Sequence, residues 1–291
     1  MPVLTIIIPT WKRDEVFSET IAAAVEAVKN IDAEILIIND CGEDEVVFEH
    51  TKVKVYNNPG RGVSKARNSG ASLAKSPILL FIDNDILITE ENIVKTIQIH
   101  AAKERIILNA SWVYPPAITS VIDNHQFGRI LKLWKLDSYE KRYIFHNGGQ
   151  WHNKLFKAKL PFAGFCFSIR KNDFLNFAMF NEKILFGGEE AGLSEKLTSN
   201  NIEYWIDPEN IVYHNEFDRV FNYKKWLNKY PEVDYNKAKT NKQTINFFFV
   251  KIVYFMLDHF PNRPYLDKIY AKLLYVQSLF LKRIAANTNS Q

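Results

Sequence analysis

Two carboxylates stand one residue apart after an apolar run, in the stretch LLFIDND. The apolar residues over 78–82 predict a strand that is buried on both faces, and Asp83 and Asp85 follow it directly. Two like charges at a strand end are costly unless a positive group lies between them. A divalent cation, or a phosphate ligand that brings one, would supply that charge. Taken alone, the pattern fits an ordinary turn equally well.

Two further charged residues could take part in the same chemistry. Asp40 ends the apolar stretch ILIIND, and its carboxylate could accept hydrogen bonds from a nucleobase or could simply cap a loop. Arg67 lies four residues after Val63, on the helix face that we expect to pack on the sheet. A buried guanidinium needs a partner, which could be Asp40, a bound nucleotide or another carboxylate in a structural ion pair.

The stretch GGEEAGLSEKL predicts a turn that opens a helix near Glu189. Glu190 then shares a face with Leu193 and Leu197, so we expect it to point inward, while Glu189 turns about 100° away. An inward carboxylate near a ligand is what a general base requires. The alternative is that both glutamates only complement the helix dipole.

His214 lies in the β-like stretch NIVYHNE. A lone histidine in such a strand is more often structural than a ligand. It becomes a candidate ligand only where a metal site already exists nearby.

Strands and helices alternate in the first half of the chain. The strand patterns are VLTIIIP, EILIIND, VKVY and ILLFID, and the helical patterns cover 14–29, with Asp14 as a cap, and 63–75. This alternation predicts a doubly wound α/β sheet, in which ligands bind beyond the carboxyl ends of the strands. Thr10, Asp40 and Asp83 each follow a strand and should therefore line one rim.

The middle of the chain is less regular. RIILNASWVYP and FAGFCFSIR predict strands, residues 118–145 predict helix followed by loop, and EYWID and NIVYHNE predict two short strands. The stretch FHNGGQWHN, over 145–153, has the glycine, asparagine and aromatic content of a binding loop.

Composition excludes several classes of protein. The chain has 291 residues and a formal net charge of +4, without the motifs of a nucleic-acid-binding domain. Its two cysteines, Cys41 and Cys166, have no metal-ligand spacing, which favours a reducing compartment and no disulfide framework. The first apolar run is too short for a signal peptide or a membrane span.

The amino-acid composition changes from about residue 220, where lysines and aromatic residues alternate at helical spacing. We therefore expect a helical extension over 219–291. The run FFFVKIVYFML is too short to span a bilayer, but the segment could lie on an anionic membrane surface. It could instead pack on the rest of the protein or form a self-association contact. We favour these two alternatives over the membrane surface, because aromatic stripes at helical spacing are usually core.

Taken in order, seven stretches resemble a family-2 glycosyltransferase of the GT-A fold. They are TIIIPTWKR, ILIINDCGED, GRGVSKARNSG, LLFIDND, FAGFCFSIRKNDF, FGGEEAGLSEKL and VYH, and they cover residues 4 to about 214. The resemblance implies a Rossmann-like, mixed or parallel sheet flanked by helices. It implies a catalytic domain over 1–218, with a nucleotide-sugar-binding part at about 1–115 and an acceptor part at about 116–218.

The resemblance also implies roles for individual residues. The catalytic residue would be Glu190, which takes the proton of the acceptor hydroxyl, and the anomeric configuration would be inverted. The ligands of Mn²⁺ or Mg²⁺ would be Asp85 and His214. The donor-binding residues would be Pro9, Thr10, Trp11 and Arg13, then Asp40 and Arg67 at the base, Asp83 at the ribose, Asn84, and Gly164 near the sugar. On the acceptor side we place Glu189 and Trp151.

Three positions depart from the family pattern. The family often has Glu-Asp where this chain has Glu189-Glu190, Tyr where it has Trp11, and Asn where it has Lys12.

The resemblance implies an enzyme that moves a sugar from a nucleotide-sugar to a hydroxyl of a glycan or lipid-linked acceptor. Family frequency favours UDP, and the expected setting is cell-surface polysaccharide or glycan assembly, in the cytoplasm or at the inner face of the membrane. One alternative is a nucleotidyltransferase, which would need a phosphate-binding loop that PTWKRDEV does not supply. Another is a non-catalytic nucleotide-sugar-binding protein, which would be expected to lack Asp85 or Glu190.

Overall fold

We analysed a computed structural model of the chain. It describes residues 2–11, 15–40, 48–160, 162–184, 189–216, 255–256, 259 and 262–276. The predictions made for Lys12, Arg13, Asp14, Cys41 and all but residues 255–256 of the run FFFVKIVYFML lie outside the described residues.

The described residues include nine strands and, up to residue 216, eight α-helices. The strands are β1 Leu4–Thr10, β2 Ala33–Asn39, β3 Val53–Asn57, β4 Ile78–Ile82, β5 Ile86–Leu87, β6 Ile106–Val113, β7 Phe156–Lys157, β8 Cys166–Arg170 and β9 Glu203–His214. The helices are α1 Glu15–Ala27, α2 Val63–Leu73, α3 Glu90–Ala102, α4 Pro116–Thr119, α5 Gln126–Leu133, α6 Tyr139–Asn147, α7 Lys171–Phe177 and α8 Glu189–Ser199.

All nine strands belong to one mixed sheet with the order β3-β2-β1-β4-β8-β6-β9-β5, and β7 pairs with β9. The four strands β3, β2, β1 and β4 are parallel to one another, as the alternating pattern predicts. Strand β8 lies between β4 and β6 and runs antiparallel to both. The α/β class with a mixed sheet and flanking helices is therefore confirmed.

The helical spacing correctly identifies most of the buried face of α1 and α2. Four residues at this spacing in and just after α1 are buried, namely Phe17, Ile21, Ala24 and Val28, and Val25 is half-buried. In α2, Ala66 and Gly70 are buried, as is Ala74 just after the helix. Leu73, the last residue of α2, has the same spacing but is 42% exposed, because it lies at the edge of the buried face.

The last strand of the sheet corrects one prediction. The stretches EYWID and NIVYHNE do not form two short strands, because β9 is continuous over Glu203–His214. Its parallel pairing with β6 shifts register between Ala110 and Ser111, which lie opposite Asp207 and Ile211. The intervening residues of β9 form an irregularity that interrupts the sequence pattern without ending the strand.

Two compact units can be distinguished. The first comprises residues 1–113 and 138–215 and contains the whole sheet. The second comprises 114–137 and 216–291, and within it Arg129 on α5 forms an ion pair of 2.6 Å with Asp267. The described residues 267–276 are helical. The domain boundaries that we placed at about 115 and at 218 stay predictions.

No helix in the described part of the chain is both long enough and apolar enough to cross a membrane.

One buried side-chain amide connects the sheet to the loop that precedes β8 and to the start of β8. The side chain of Asn109 on β6 is fully buried and donates hydrogen bonds of 2.7 Å to the carbonyl oxygens of Ala163 and Cys166. Replacing Asn109 with alanine removes both donors, so we expect Asn109→Ala to lower the free energy of unfolding by about 1–3 kcal/mol. Urea denaturation would measure this loss. Asn124→Ala, at an exposed position, should change stability by less than about 0.5 kcal/mol, and equal effects would contradict the prediction.

Candidate active site

A buried arginine lies at the centre of the site. Arg67 projects from α2 and is 3% exposed, as its helical position predicts. Its guanidinium donates to the carboxylate of Asp83 at 2.8 Å and to the carbonyl oxygen of Gly164 at 3.0 Å, and it lies 3.5 Å from a carboxylate oxygen of Glu189. The rings of Phe167 and Phe180 lie 5.9 and 5.2 Å from the guanidinium carbon. Arg67 therefore joins three segments that are distant in sequence.

The expected ion pair between Arg67 and Asp40 is not formed. Asp40 does not contact the arginine in the structure. Its carboxylate accepts hydrogen bonds from the side chain of Asn58 at 2.7 Å and from the backbone of Gly62 at 2.9 Å. Because the turn that follows β3 brings these two donors to Asp40, the arginine pairs with Asp83 and Glu189 instead.

The predicted rim residues do lie at the same edge of the sheet. Strands β1 and β2 are paired in parallel up to Thr10, whose carbonyl oxygen accepts a hydrogen bond of 2.8 Å from the backbone of Asp40. Strand β4 ends at Ile82, next to Asp83. Pro9 and Thr10 are buried, whereas Trp11 is 57% exposed and presents its ring at this edge.

A tight turn places Asp83 and Asp85. The backbone of Asp83 donates to the carbonyl oxygen of Phe165 at 2.8 Å, and that of Ile86 donates back to Asp83 at 3.2 Å. Between them, the carbonyl oxygen of Asn84 accepts a hydrogen bond of 3.0 Å from Thr20 on α1. The turn is thus held from two sides, which fixes the direction of both carboxylates.

His214 lies beside Asp85. Strand β5 pairs with β9 so that Ile86 lies opposite His214, and the imidazole Nε2 is 3.4 Å from a carboxylate oxygen of Asp85. The ring of Trp112 meets the imidazole edge-on, at 4.9 Å between centroids. The histidine is therefore positioned by both pairing and packing.

Two ligand groups of the first unit meet at this point. Asp85 and His214 each offer one atom, and these two atoms lie within 4.8 Å of each other. Carboxylate oxygens and an imidazole nitrogen form a ligand set that suits Mn²⁺ and related divalent ions. The residues present therefore fit the expected cation.

The surroundings of Asp83 shift the pKa of its carboxyl in opposing directions. Burial raises the pKa of this carboxyl from 3.8 to about 6, and the negative charge of Asp85 acts in the same direction. The guanidinium of Arg67 and the imidazole of His214 oppose the rise. Additional positive charge at this site would favour the ionised form of Asp83.

Glu190 lies beside the same arginine. A Cβ atom added at Gly164 would lie 3.0 Å from a carboxylate oxygen of Glu190 and 3.3 Å from the guanidinium of Arg67. Gly164 thus leaves the space between these groups free. Burial and the neighbouring charge of Glu189 raise the pKa of Glu190, while Arg67 and Arg142 oppose the rise.

Glu189 corrects a second expectation. We expected it to turn away from the core, but it is 8% exposed and lies against Arg67. Glu189 is the first residue of α8, and at this end of the helix both glutamates approach the arginine. Leu193 and Leu197 do face the core as predicted.

The structure thus brings together seven of the fourteen predicted site residues, namely Arg67, Asp83, Asp85, Gly164, Glu189, Glu190 and His214. Trp151 lies apart from them, in an aromatic cluster with Tyr139, Tyr143 and Phe156. Sequence reasoning missed Asn58, which binds Asp40, although its place in the turn signal NNPGRG could have indicated such a role.

Comparisons with known proteins agree with this geometry. Residues 5–173 match the model of the family described as Glycosyl transferase family 2, and the chain belongs to that family.

Two individual glycosyltransferases are similar to this chain over part of their length. A validoxylamine A glucosyltransferase of Streptomyces hygroscopicus subsp. limoneus is 28% identical over 127 residues, which are 40% of this chain and 28% of the relative. An uncharacterized glycosyltransferase of Haemophilus influenzae is 25% identical over 124 residues, which are 41% of this chain and 40% of the relative. The matched segments thus span well under half of each relative.

A solved structure shows the fold. The chain resembles the crystal structure of GalNAc-T7 with UDP, GalNAc and Mn²⁺, with a TM-score of 0.54 and 16% sequence identity. The match covers 73% of this chain and 43% of that one. The chain has the GT-A fold.

The role of Arg67 can be tested with a conservative change. Lysine keeps the charge but cannot contact two carboxylates and a carbonyl with a planar fork. We expect Arg67→Lys to lower the free energy of unfolding by about 2 kcal/mol, because buried carboxylates lose their partner. Urea denaturation measures this. The control is Arg105→Lys, at a position 46% exposed, where the change should be under about 0.5 kcal/mol. A loss at Arg67 as small as the control would show that the fork is not needed.

Proposed function

We propose that the chain is an inverting, metal-dependent glycosyltransferase that moves a sugar from a nucleotide-sugar to an acceptor hydroxyl. The observation that carries this proposal is the placement of Asp83, Glu189 and Glu190 around Arg67, with Asp85 beside His214 in the turn that follows Asp83. Membership of glycosyl transferase family 2 and the GT-A fold support it.

The donor would bind at the edge of the sheet where β1, β2 and β4 end. Asp40, already oriented by Asn58 and Gly62, would accept from the nucleobase, and Trp11 would offer its exposed ring. Asp83 would accept from the ribose hydroxyls. UDP is the nucleotide we propose, in agreement with the UDP of the GalNAc-T7 structure.

Asp85 and His214 would hold a divalent cation. The cation would supply positive charge against the diphosphate and so favour its departure as a leaving group. We propose Mn²⁺ or Mg²⁺, and the Mn²⁺ of the GalNAc-T7 structure supports the first. Within the chain itself, the carboxylate of Asp85 also places negative charge close to Asp83, which favours a bound cation at this turn.

Glu190 would act as the general base. Its carboxylate would take the proton of the acceptor hydroxyl as the acceptor oxygen forms its bond to the anomeric carbon. The bond from that carbon to the diphosphate breaks, and the electron pair leaves with the nucleoside diphosphate. With the base and the leaving group on opposite sides of the sugar, the configuration would be inverted, as in inverting glycosidases. The space beside Gly164 is where the sugar would lie.

We place the acceptor among glycans or lipid-linked saccharides of cell-surface polysaccharide or glycan assembly. The two glycosyltransferase relatives support a saccharide product in general terms. A cytoplasmic location at the inner membrane face, and a membrane or self-association contact through residues 219–291, stay predictions.

Metal-dependent nucleotide binding tests the donor half. UDP at 100 times its dissociation constant should stabilise the protein by about 2.7 kcal/mol when Mn²⁺ is present. We expect Asp85→Asn or added EDTA to abolish this stabilisation, measured by thermal unfolding with UDP and with GDP. Asp32→Asn, at an exposed position, should retain it. If neither nucleotide shifts the melting temperature of the wild-type protein, the proposed donor site is wrong.

The pH dependence of transfer tests the base. Glu190 must be ionised to accept a proton, so the rate should fall as the pH drops through its pKa, which burial raises above the usual 4.5. We expect Glu190→Gln to lower the rate of UDP-sugar turnover at least ~100-fold while Mn²⁺–UDP stabilisation persists. Glu195→Gln, on the exposed face of the same helix, should leave both unchanged. Full activity of Glu190→Gln would remove Glu190 from the mechanism.

A further inference from the structure

A second concave site lies beside α6 in the first unit. It is a cleft of about 660 Å³ lined by residues that include Glu140, Ile144, Gln150, Trp151, Asn153 and Lys159. This volume is within the range of sites that bind small molecules. The cleft includes the sequence stretch that predicts a binding loop.

One buried tyrosine fixes the walls of the cleft. Tyr143 is 1% exposed, and a Cβ atom at Gly149 would lie 2.0 Å from its ring, so the loop backbone lies directly on the ring. The hydroxyl of Tyr143 also accepts a hydrogen bond of 2.8 Å from the backbone of Lys159. Both sides of the cleft are therefore attached to the same rigid side chain.

Trp151 is supported in the same way. Its ring makes edge contacts with Tyr139, Tyr143 and Phe156, at 6.0, 6.0 and 5.7 Å between centroids. The side chain is nevertheless only half-buried, and it lines the cleft. A fixed aromatic ring that is still accessible offers an apolar surface, against which the C–H face of a sugar ring can pack.

The polar groups of the cleft match hydroxyl groups rather than phosphate. Glu140 contributes a carboxylate, Gln150 and Asn153 contribute amides, and Lys159 contributes one ammonium group. Amides and carboxylates both accept from hydroxyls, and amides and ammonium donate to them. Since the one positive charge is accompanied by one negative charge, the cleft favours an uncharged ligand over an anionic one.

Aromatic contacts connect the cleft to the candidate base. Trp151 contacts Tyr139, and Tyr139 contacts Phe165 at 4.9 Å between centroids. Phe165 follows Gly164, where a Cβ atom would lie 3.0 Å from Glu190. Two rings therefore separate the cleft from the place where the acceptor hydroxyl would react.

We propose that this cleft is an acceptor subsite, which binds a sugar unit of an uncharged saccharide one or more units away from the hydroxyl that is glycosylated. The proposal rests on the proposed function, because it needs Glu190 to mark the reacting end. Trp151 is the residue on which the bound sugar packs, and Tyr143 is a positioning residue that holds the loop.

The test measures saccharide binding and nucleotide binding separately on the full chain. The probes are an array of uncharged oligosaccharides and, on the same surface, vesicles that contain a polyprenyl phosphate. We expect the wild-type chain to bind oligosaccharides, and Trp151→Ala to weaken this binding about tenfold through the loss of aromatic contact area. Phe145→Ala removes a 62% exposed aromatic ring from α6 that is not among the residues lining the cleft, and it should leave binding unchanged.

The outcomes distinguish the two proposals. Stabilisation of Trp151→Ala by UDP and Mn²⁺ shows that the variant is folded and that the donor site is intact, so a selective loss of oligosaccharide binding supports the subsite. Equal oligosaccharide binding by wild type and Trp151→Ala, no binding to any oligosaccharide, or binding only to polyprenyl phosphate overturns the subsite while the donor site stands. Failure of UDP to bind the wild-type chain rejects the proposed function itself.

Discussion

The contact between one buried guanidinium and its three oxygen partners determines the arrangement of the candidate site. Arg67 is held to Asp83 after β4, to the Gly164 carbonyl before β8 and to Glu189 at the start of α8. A buried charge of this kind is costly unless every partner is in place. The turn that contains Asp83 and the helix start that contains the two glutamates are therefore both tied to α2. This contact keeps the proposed donor-binding residues and the proposed base at a fixed distance from each other.

The sheet topology makes that contact possible. Parallel strands alone would bring the rim residues after β1, β2 and β4 to one edge. The antiparallel insertion of β8 beside β4 adds the segment that precedes β8 to the same edge, because an antiparallel strand begins where its neighbour ends. Asn109 holds this segment through two carbonyl oxygens, so the free space at Gly164 depends on a buried amide on β6.

The sequence predicted what local patterns determine. Apolar runs gave the buried strands, and helical spacing gave the burial of Arg67, because both depend on neighbours in the chain. The partner of Arg67 could not be predicted, since Gly164 and Glu189 are 97 and 122 residues away. Strand β9 was divided wrongly because its register shift opposite Ala110 imitates a break between strands. For the cleft at Trp151, composition predicts only a binding loop, and the placement of Trp151 on the acceptor side comes from the family resemblance.

The guanidinium of Arg67 gives the two adjacent glutamates different electrostatic surroundings. Glu189 lies against Arg67 and is compensated by it, whereas Glu190 experiences burial and the negative charge of Glu189 with weaker compensation. Glu189 thus takes the ion pair with the arginine, while the pKa of Glu190 stays raised. A carboxylate with a raised pKa accepts a proton more readily once it is ionised. This difference supports the proposal that Glu190, at a position where the family often has aspartate, is the base beside Gly164.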